Sequence, residues 1–432
     1  MKKFARIAAL LSAAAVCAGL AACGQGRSTL LGRPGEVASF SYPENTTENF
    51  IAIKESAESF ADEFTARAVA AYEGGENFVI SPISVYSALA MAAECADGST
   101  REEILAAMNT DYELLRSDFL TLYRSVLRDT KTAKASFGNS VWVGEGIPVK
   151  QTGVDSLAEN YGAYSYSADF ANDNEEANEA VRHFVKEQTN GLIDRDFELS
   201  EDTFFTLINT LYLKDNWNKG GDEISLTDES YAFENADGSV TDIQLMRGHY
   251  NAVRAHEGET FTSCYTTTHS GYKLMFIVPK DGYSADEVMT TDNLAEAKSA
   301  DYNGIDDENH IAHNTRCIFP AFSANGDIDA KDILEDMGIE ELFDKDRGAN
   351  LSNMFEDDEI KLYCPEVRHV ATLEVDRKGI EGAAVTVLPA DGATSAEPYE
   401  TVYYDFVVDK AFGFVLMNSY GTTLFAGTVN AV

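Results

Sequence analysis

Positive charge is scarce in this sequence. Its 432 residues contain 33 Lys and Arg against 72 Asp and Glu, so the formal net charge is -39. Nucleic acids and anionic membrane surfaces are bound through clustered Lys and Arg, and the shortage of both argues against either as a partner. The acidity favours solubility, and the 44% hydrophobic content is that of a globular protein with a buried core.

Motifs for metal binding and catalysis are also missing. The six cysteines and seven histidines form no CxxC pair and no Cys/His cluster with zinc spacing. No HExxH, GxSxG, Walker or EF-hand pattern occurs. We therefore expect no metal, no cofactor and no catalytic residue, and an enzyme is the least supported function for this chain.

The start of the chain carries an apolar run rich in Ala and Leu at residues 7–22, preceded by basic residues. The run is too short to span a bilayer comfortably, so residues 1–22 are predicted to be a signal peptide. The tetrapeptide LAAC that ends at Cys23 resembles a bacterial lipobox, in which a peptidase cuts before the Cys and its sulfur receives diacylglycerol. We expect Cys23 to be lipidated; an ordinary signal followed by an incidental Cys is the alternative.

A lipid on Cys23 would place the mature protein outside the cytoplasm. Each buried methylene contributes about 0.8 kcal/mol to membrane binding, so the chain is expected to be anchored at the bacterial cell membrane or surface through the lipid only. Residues 23–48 contain several Gly and Pro and are predicted to be a lipidated tether. The remaining cysteines are interpreted as mostly isolated core thiols, because an exported location permits disulfides without requiring them: Cys95, Cys264, Cys317 and Cys364.

The rest of the chain changes from helix-rich to strand-rich near Asp202. Apolar residues at helical spacing predict helices at 48–72, 82–94, 100–109, 112–128, 174–189, 284–298 and 329–337. Strand patterns predict a central strand at 204–213 and further strands at 136–143, 165–170, 361–376, 403–409, 412–418 and 422–429. Since no linker-like break occurs after residue 50, residues 49–432 are predicted to form a single α+β domain.

Between two of the predicted strands lies a long run of small, weakly polar residues, KGIEGAAVTVLPADGATSAEPYE at 378–400. Such a composition suits a flexible linker, and it equally suits an exposed loop that is meant to be cut. Motifs elsewhere in the chain have to decide between the two.

Several motifs in the domain resemble those of the serpin family. The segment NFVISPISVYSALAM at 77–91 has the family's Asn, Ser-Pro, Ser and Ala-Leu-x-Met spacing, and the family's Gly-x-Thr follows as Gly98-Ser99-Thr100. Further matches keep the family's order: NSVW at 139–142, TNGLI at 189–193, LINTLYLK at 207–214 with Trp217, FPAF at 319–322, His369, LEVD at 373–376 and LFAG at 424–427. The resemblance runs from about residue 50 to the C terminus.

The resemblance implies the serpin fold, in which helices pack on a large central mixed β-sheet with further sheets, and an exposed reactive-centre loop at about residues 377–402. It also implies a monomeric, irreversible suicide-substrate inhibitor of serine or cysteine proteases. The protease attacks the loop and forms an acyl-enzyme, and the cleaved loop then inserts into the central sheet. The alternative is a non-inhibitory binding protein whose loop is only a substrate.

The family pattern places the hinge of the loop at Gly379, Ile380, Glu381, Gly382, Ala383, Ala384, Val385 and Thr386. Side chains of a strand alternate between two faces. The face that begins at Ile380 and ends at Gly392 carries no charge, and the other face carries both acids. A random linker of this composition would place both acids on one chosen face about one time in four. The alternation therefore supports insertion moderately. The small residues 382–384 add support, because a bulky or charged hinge would clash or be buried unpaired.

Three loop residues depart from what insertion favours. Ile380 stands where inhibitory serpins usually carry Thr or Ser, but it should enter a core readily. Arg377 stands where they usually carry Glu, and a modest effect is expected because it precedes the inserting stretch. Pro389 lacks an N–H and is poorly placed in a central strand, although it would insert late.

The position of the scissile bond follows from the family's usual loop length. Counted from Gly379, that length places the bond at Ala393-Thr394. A small residue there predicts an elastase-like protease, whose specificity pocket is small. The segment from Ala393 to Phe412 is longer than usual, so a later bond near Tyr399 or Glu400 stays open.

Five more residues match family positions that control the opening of the sheet. Ser81, Ser84, Asn209 and His369 match a polar cluster beneath it, and Trp217 matches the top of the opening. Each polar residue taken alone could equally be a hydrogen-bonded core residue. Their implied role is conformational, and none would be a catalytic nucleophile.

Overall fold

The computed structural model describes residues 28–37, 40, 42–131, 133–218, 220–356, 362–365, 367–382 and 399–432. Cys23 and the predicted signal peptide lie outside these residues. So do the later hinge residues and the predicted scissile pair, namely Ala383, Ala384, Val385, Thr386, Ala393 and Thr394.

Eight α-helices occur in the described part of the chain, most of them in its first half. They are α1 (Glu48–Ala71), α2 (Pro82–Cys95), α3 (Gly98–Ala107), α4 (Tyr112–Val126), α5 (Gln151–Tyr161), α6 (Asn174–Gln188), α7 (Thr291–Ser299) and α8 (Lys331–Asp336), with 3-10 helices at Tyr42–Thr46 and Glu341–Phe343. The N terminus of α1 is capped by Thr47, whose hydroxyl accepts a hydrogen bond from Phe50 N at 3.2 Å.

Twenty strands lie in the same part of the chain. They are β1 (Ser28–Gly32), β2 (Phe78–Ile80), β3 (Arg128–Asp129), β4 (Ala133–Gly144), β5 (Ala163–Ala168), β6 (Phe205–Asn216), β7 (Tyr231–Glu234), β8 (Val240–Ile243), β9 (Met246–Asn251), β10 (His256–Glu257), β11 (Phe261–Thr267), β12 (Lys273–Pro279), β13 (Ile305–Asp306), β14 (Ile311–Phe319), β15 (Phe322–Asp329), β16 (Arg368–Val375), β17 (Gly379–Gly382), β18 (Glu400–Val407), β19 (Phe412–Met417) and β20 (Thr423–Val429).

The strands form three larger sheets and one hairpin. The main sheet has eight strands in the order β1-β5-β4-β6-β17-β16-β15, with β3 paired to β4, and it is mixed because β4 and β5 run parallel. A second sheet has the order β10-β11-β12-β19-β20-β2. A third consists of β13, β14 and β18 with β9 paired to β14, and β7 pairs with β8.

Both faces of the main sheet are covered. All residues of α2 are buried, and this helix packs against β6 on one side and β20 of the second sheet on the other. On the opposite face α6 packs through Phe184, whose ring lies 6.2 Å from that of Trp142. This explains the continuously apolar sequence of β6. When both faces of a strand are covered, neither set of alternating side chains faces water. The serpin fold expected from the sequence is therefore present.

Two expectations need correction. Residues 23–48 are not a free tether over their full length, because Ser28–Gly32 add an antiparallel edge strand to β5 and the Phe40 ring packs 5.0 Å from Tyr420. The strand predicted at 361–376 begins only at Arg368. Cys95, Cys264, Cys317 and Cys364 are all buried with free thiols, which agrees with their interpretation as core thiols. No described helix has the length and apolarity that crossing a membrane requires.

Candidate functional site

The first four residues of the predicted hinge form a strand inside the main sheet. Gly379–Gly382 (β17) lie between β6 and β16 and pair antiparallel with both, with Gly382 opposite Leu213 of β6 and Glu381 opposite Glu374 of β16. The chain enters this strand through a tight turn in which Asp376 N donates to Gly379 O at 3.0 Å. We call β17 the hinge strand.

The hinge strand presents one side chain to the core and one to the outer face. Ile380 is only 1% exposed and belongs to the main hydrophobic core. Glu381 points the other way: the Tyr212 hydroxyl donates to its Oε1 at 3.0 Å and Lys214 Nζ lies 2.8 Å from its Oε2. Burial, together with the Glu381 carboxylate, raises the pKa of Tyr212 to about 12. An apolar residue inward and an acid outward match the alternation read from the sequence.

Gly379 allows the hinge strand to approach β6 closely. A Cβ on this residue would lie 1.9 Å from the carbonyl oxygen of Asp215, far inside contact distance, so a larger residue would push the strand away. Asp215 is itself buried and accepts hydrogen bonds from the N–H and hydroxyl of Ser270 at 3.1 and 2.9 Å. Burial raises the pKa of Asp215.

Trp217 contacts the turn that leads into the hinge strand. Its indole N–H donates to Asp376 O at 2.6 Å, and its backbone N–H donates to Lys378 O at 2.9 Å. Arg377 between these residues pairs with Glu223 at 2.9 Å, but both side chains are more than 40% exposed. An exposed ion pair of this kind contributes at most about 1 kcal/mol, which agrees with a modest effect of Arg377.

The main sheet has an opening beyond the hinge strand. The facing edges of β6 over residues 205–212 and of β16 over residues 368–373 have no strand partner in the described part of the chain. A small cavity lies there beneath α6, lined by Val185, Ile193, Phe197, Leu199, Thr206, Leu207, Ile208, Asn209, Thr210, Arg368 and Val370.

The predicted polar cluster beneath the opening is divided into two groups. Ser81 N donates to His369 Nε2 at 2.9 Å, and the Ser81 and Ser84 hydroxyls lie 2.9 Å apart. Asn209 instead donates to Asn139 Oδ1 on β4, and its own Oδ1 is buried without a hydrogen-bond partner among the described residues. The structure therefore brings three of the four residues together and leaves Asn209 on the other side of the opening.

This cluster cannot work as a catalytic serine and base. His369 Nε2 already accepts the Ser81 backbone N–H, so its lone pair is not available to a serine hydroxyl. The residues are also 2–6% exposed, out of reach of a substrate. Their contacts hold the N terminus of α2 to β16.

His369 is expected to make folding stability pH-dependent. Burial lowers its pKa to about 4, against 6.5 in the unfolded chain, although Asp327 partly offsets the shift. Because the unfolded state binds the proton first, stability falls as pH drops from about 6.5 to 4, by about 2–3 kcal/mol at pH 4.5.

Urea unfolding between pH 7.5 and 4.5 measures this loss, and His369→Gln is the control because its amide can accept the Ser81 N–H without titrating. Other groups titrate equally in both proteins. If the free energy of unfolding changed with pH in the same way in the wild type and in the variant, the assignment to His369 would be wrong.

Sequence reasoning missed the residues that hold the hinge strand. Tyr212 and Lys214 lie two apart on β6 and therefore on one face, so strand periodicity could have indicated a shared partner. Asn139 belongs to the NSVW motif, but nothing in the sequence indicated a role for it. Its contact to Asn209 depends on the β4–β6 register, in which the two residues are directly opposite.

Comparisons with known proteins agree with this geometry. The family profile described as "Serpin (serine protease inhibitor)" matches residues 55–432. The chain is 28% identical to human neuroserpin over 82% of its own length and 86% of that protein. It is 26% identical to rat alpha-1-antiproteinase over 73% and 75%, and 30% identical to the putative serpin-Z12 of Oryza sativa subsp. japonica over 85% and 89%.

Solved structures show the same fold. The thermophilic serpin tengpin in its native state superposes with a TM-score of 0.72 at 22% identity, covering 93% of this chain and 97% of tengpin. Human thyroxine-binding globulin in complex with its hormone superposes with a TM-score of 0.69 at 18% identity, covering 89% and 99%. At these identities the likeness concerns the fold alone.

Proposed function

This chain belongs to the serpin family, and from that membership we propose that it is an irreversible suicide-substrate inhibitor of serine or cysteine proteases. Members of the family are mostly protease inhibitors and not enzymes, and relatives named alpha-1-antiproteinase and neuroserpin are among the matches. The observation that carries the proposal is the hinge strand, which already occupies the end of the opening through which the rest of the loop would enter.

The covalent chemistry belongs to the protease. Its nucleophilic oxygen or sulfur bonds to the carbonyl carbon of the scissile residue, the peptide bond breaks, and the new amino group of the following residue carries away the proton. The loop then remains attached to the protease as an acyl-enzyme. Insertion of the loop behind Gly382 moves the protease before water can hydrolyse that ester or thioester.

The register of the hinge strand predicts where each inserted residue would lie. On insertion each further loop residue would pair one position earlier on both neighbours, so Thr386 would fall between Asn209 of β6 and His369 of β16. All three would face the core, and the Thr386 hydroxyl could donate to the unpartnered Asn209 Oδ1. Insertion would thus join the two polar groups that the opening separates.

The same register reduces the difficulty with Pro389. This residue would lie opposite Thr206 on β6, but on the other side it would pass Arg368, where β16 begins. Its missing N–H would therefore affect only the last part of the strand and one neighbour.

The contacts of Tyr399 and Glu400 support the proposal that the scissile bond is Ala393-Thr394 and not a later one. The Tyr399 ring stacks 4.9 Å from His310 and its hydroxyl bonds Asp307, while Glu400 N donates to His310 O at 2.8 Å. A protease binds its substrate as an accessible extended segment, and these contacts would have to break first. We therefore propose an elastase-like target that accepts Ala393.

The test is to mix protein lacking residues 1–23 with pancreatic or neutrophil elastase and to analyse the products on denaturing gels and by mass spectrometry. A denaturant-stable complex and a released peptide that begins at Thr394 are expected. Clean cleavage with full protease activity remaining, across a wider panel of serine and cysteine proteases, would contradict inhibition.

The second candidate is a non-inhibitory binding protein. The hormone-bound thyroxine-binding globulin shares this fold, and Arg377 and Pro389 depart from what insertion favours. The buried Ile380 in the hinge strand favours the inhibitory function, because a loop that is only a substrate does not require a hinge residue that faces the core.

We also propose that the protein is a lipoprotein that acts outside the cytoplasm, with its lipid on Cys23. The support is the LAAC motif after the apolar run. Partitioning of the full-length protein into detergent, and loss of that partitioning in Cys23→Ala, would test the anchor. Its role would be to shield the cell surface from proteases in its surroundings.

A further inference from the structure

The outer face of the third sheet carries two exposed tyrosines in contact. Tyr250 of β9 and Tyr403 of β18 are 42% and 62% exposed, and their rings meet edge to face with centroids 4.9 Å apart. Among the eight large hydrophobic side chains that are exposed in the described part of the chain, three lie on this small sheet. Two of them, Tyr250 and Tyr403, share its outer face, whereas Tyr404 alternates to the opposite face and stacks on His313. Such a concentration is typical of an interaction surface and not of scattered surface residues.

One of the two rings, that of Tyr250, is held in place by a charged pair on the same face of the sheet. The Arg316 guanidinium lies 4.6 Å from the centre of the Tyr250 ring and donates two hydrogen bonds of 2.9 Å to the Asp405 carboxylate. The register places Arg316 opposite both Tyr250 and Asp405, so all of these side chains share one face. A preordered aromatic surface loses little conformational entropy when a partner binds.

This surface is continuous with the reactive loop. Tyr403 lies on the strand that directly follows the loop, four residues after Tyr399, or about 13 Å along an extended chain. The contacts of Tyr399 with Asp307 and His310 fix the end of the loop to the same sheet. A protease bound to the loop that precedes Tyr399 would therefore approach the tyrosine pair.

The charge around the surface indicates the chemistry of the partner. Arg316 is neutralised by Asp405, and Asp306 of β13 is neutralised by Arg254 at 3.2 Å. Two further acids, Asp307 and Glu308, follow on the β13–β14 turn, and Glu400 lies at the start of β18. Tyrosine faces attract Lys and Arg through cation–π contacts, and carboxylates attract them directly. A basic protein surface is complementary to this arrangement and to the net charge of -39.

We propose that Tyr250, Arg316 and Tyr403 form a second contact surface for the target protease, which binds a basic patch beside the active-site cleft of that protease. The inference rests on the proposed inhibitory function. The loop would select the protease by the residue before the scissile bond, and this surface would accelerate encounter and orient the protease on the loop.

The test compares Tyr250→Ala/Tyr403→Ala with the wild type, using neutrophil elastase first and otherwise the protease of the panel that the wild type traps fastest. The rate constant of association is expected to fall at least tenfold, with the same final yield of denaturant-stable complex. Tyr283→Ala is the matched control, because Tyr283 is a 46% exposed tyrosine on a different part of the surface, and it should inhibit at the wild-type rate.

Two further measurements make the outcome decisive. Tyr403→Lys keeps a soluble exposed side chain and repels a basic partner, so it should slow association even if the double variant folds poorly. Added salt should slow wild-type inhibition more than that of Tyr403→Lys. Wild-type rates in both variants would overturn the second surface while leaving inhibition intact, whereas absence of any complex with the wild type would overturn the proposed function itself.

Discussion

Replacing Ala384 with arginine is expected to convert the protein from an inhibitor into a substrate of its target protease. The register of the hinge strand would place Ala384 between Leu211 of β6 and Ala371 of β16, which are 8% and 3% exposed. A guanidinium there would be buried without a partner at a cost of several kcal/mol. If the barrier to insertion rises by about 3 kcal/mol, insertion slows about 100-fold. Hydrolysis of the acyl-enzyme would then be faster than insertion.

Titration of a fixed amount of protease measures the change, because the number of inhibitor molecules consumed for each protease inactivated should rise at least tenfold. The matched control is Ala383→Arg. Ala383 would lie between Tyr212 and Thr372 on the outer face, beside the Glu381 carboxylate, where an arginine can reach water. A wild-type ratio for Ala384→Arg would contradict insertion of this face into the core.

Cleavage of the loop is expected to raise the thermal unfolding midpoint by about 10 °C or more. Insertion of residues 383–390 would fill the unpaired edges of β6 and β16 with backbone hydrogen bonds, each worth about 0.5–1.5 kcal/mol net, and would bury the core-facing side chains. A gain on the order of 10 kcal/mol divided by an unfolding entropy of about 2.1 cal/mol/K per residue corresponds to such a shift for a domain of this size. This prediction makes the intact protein a metastable state.

Calorimetry of the protein before and after a single cut within the loop, made with a metalloprotease that forms no acyl-enzyme, tests this prediction. Cleaved Ala384→Arg serves as the control and should keep a midpoint close to that of the intact form, because its loop cannot enter fully. An unchanged midpoint for the cleaved wild type would favour the non-inhibitory binding protein.

Much of the fold could be predicted because its signals are local. The helix predicted at 48–72 ends one residue earlier, and its start depends only on the Thr47 cap and on apolar residues at helical spacing. The strand β6 could be recognised as central because both of its faces are covered, which leaves a continuous apolar run. The fold class followed from motifs that lie on buried elements such as α2 and β6.

The edge strand β1 could not be predicted in the same way. Its pairing with β5 joins Ser28–Gly32 to residues 165–168, and nothing in five weakly apolar residues indicates that partner. Local composition therefore suggested a tether. The division of the polar cluster also escaped prediction, because the neighbours of Asn209 depend on whether β6 and β16 are separated by another strand.

Residue types at short spacing were enough to identify the family, the central strand and the alternation of the loop. They did not indicate that Gly379–Gly382 already lie between β6 and β16, that Asn209 is separated from His369, or that Tyr250 and Tyr403 meet on one face. Each of these arrangements joins segments far apart in the chain. Strand register and sheet packing set such contacts, and local residue patterns do not encode them.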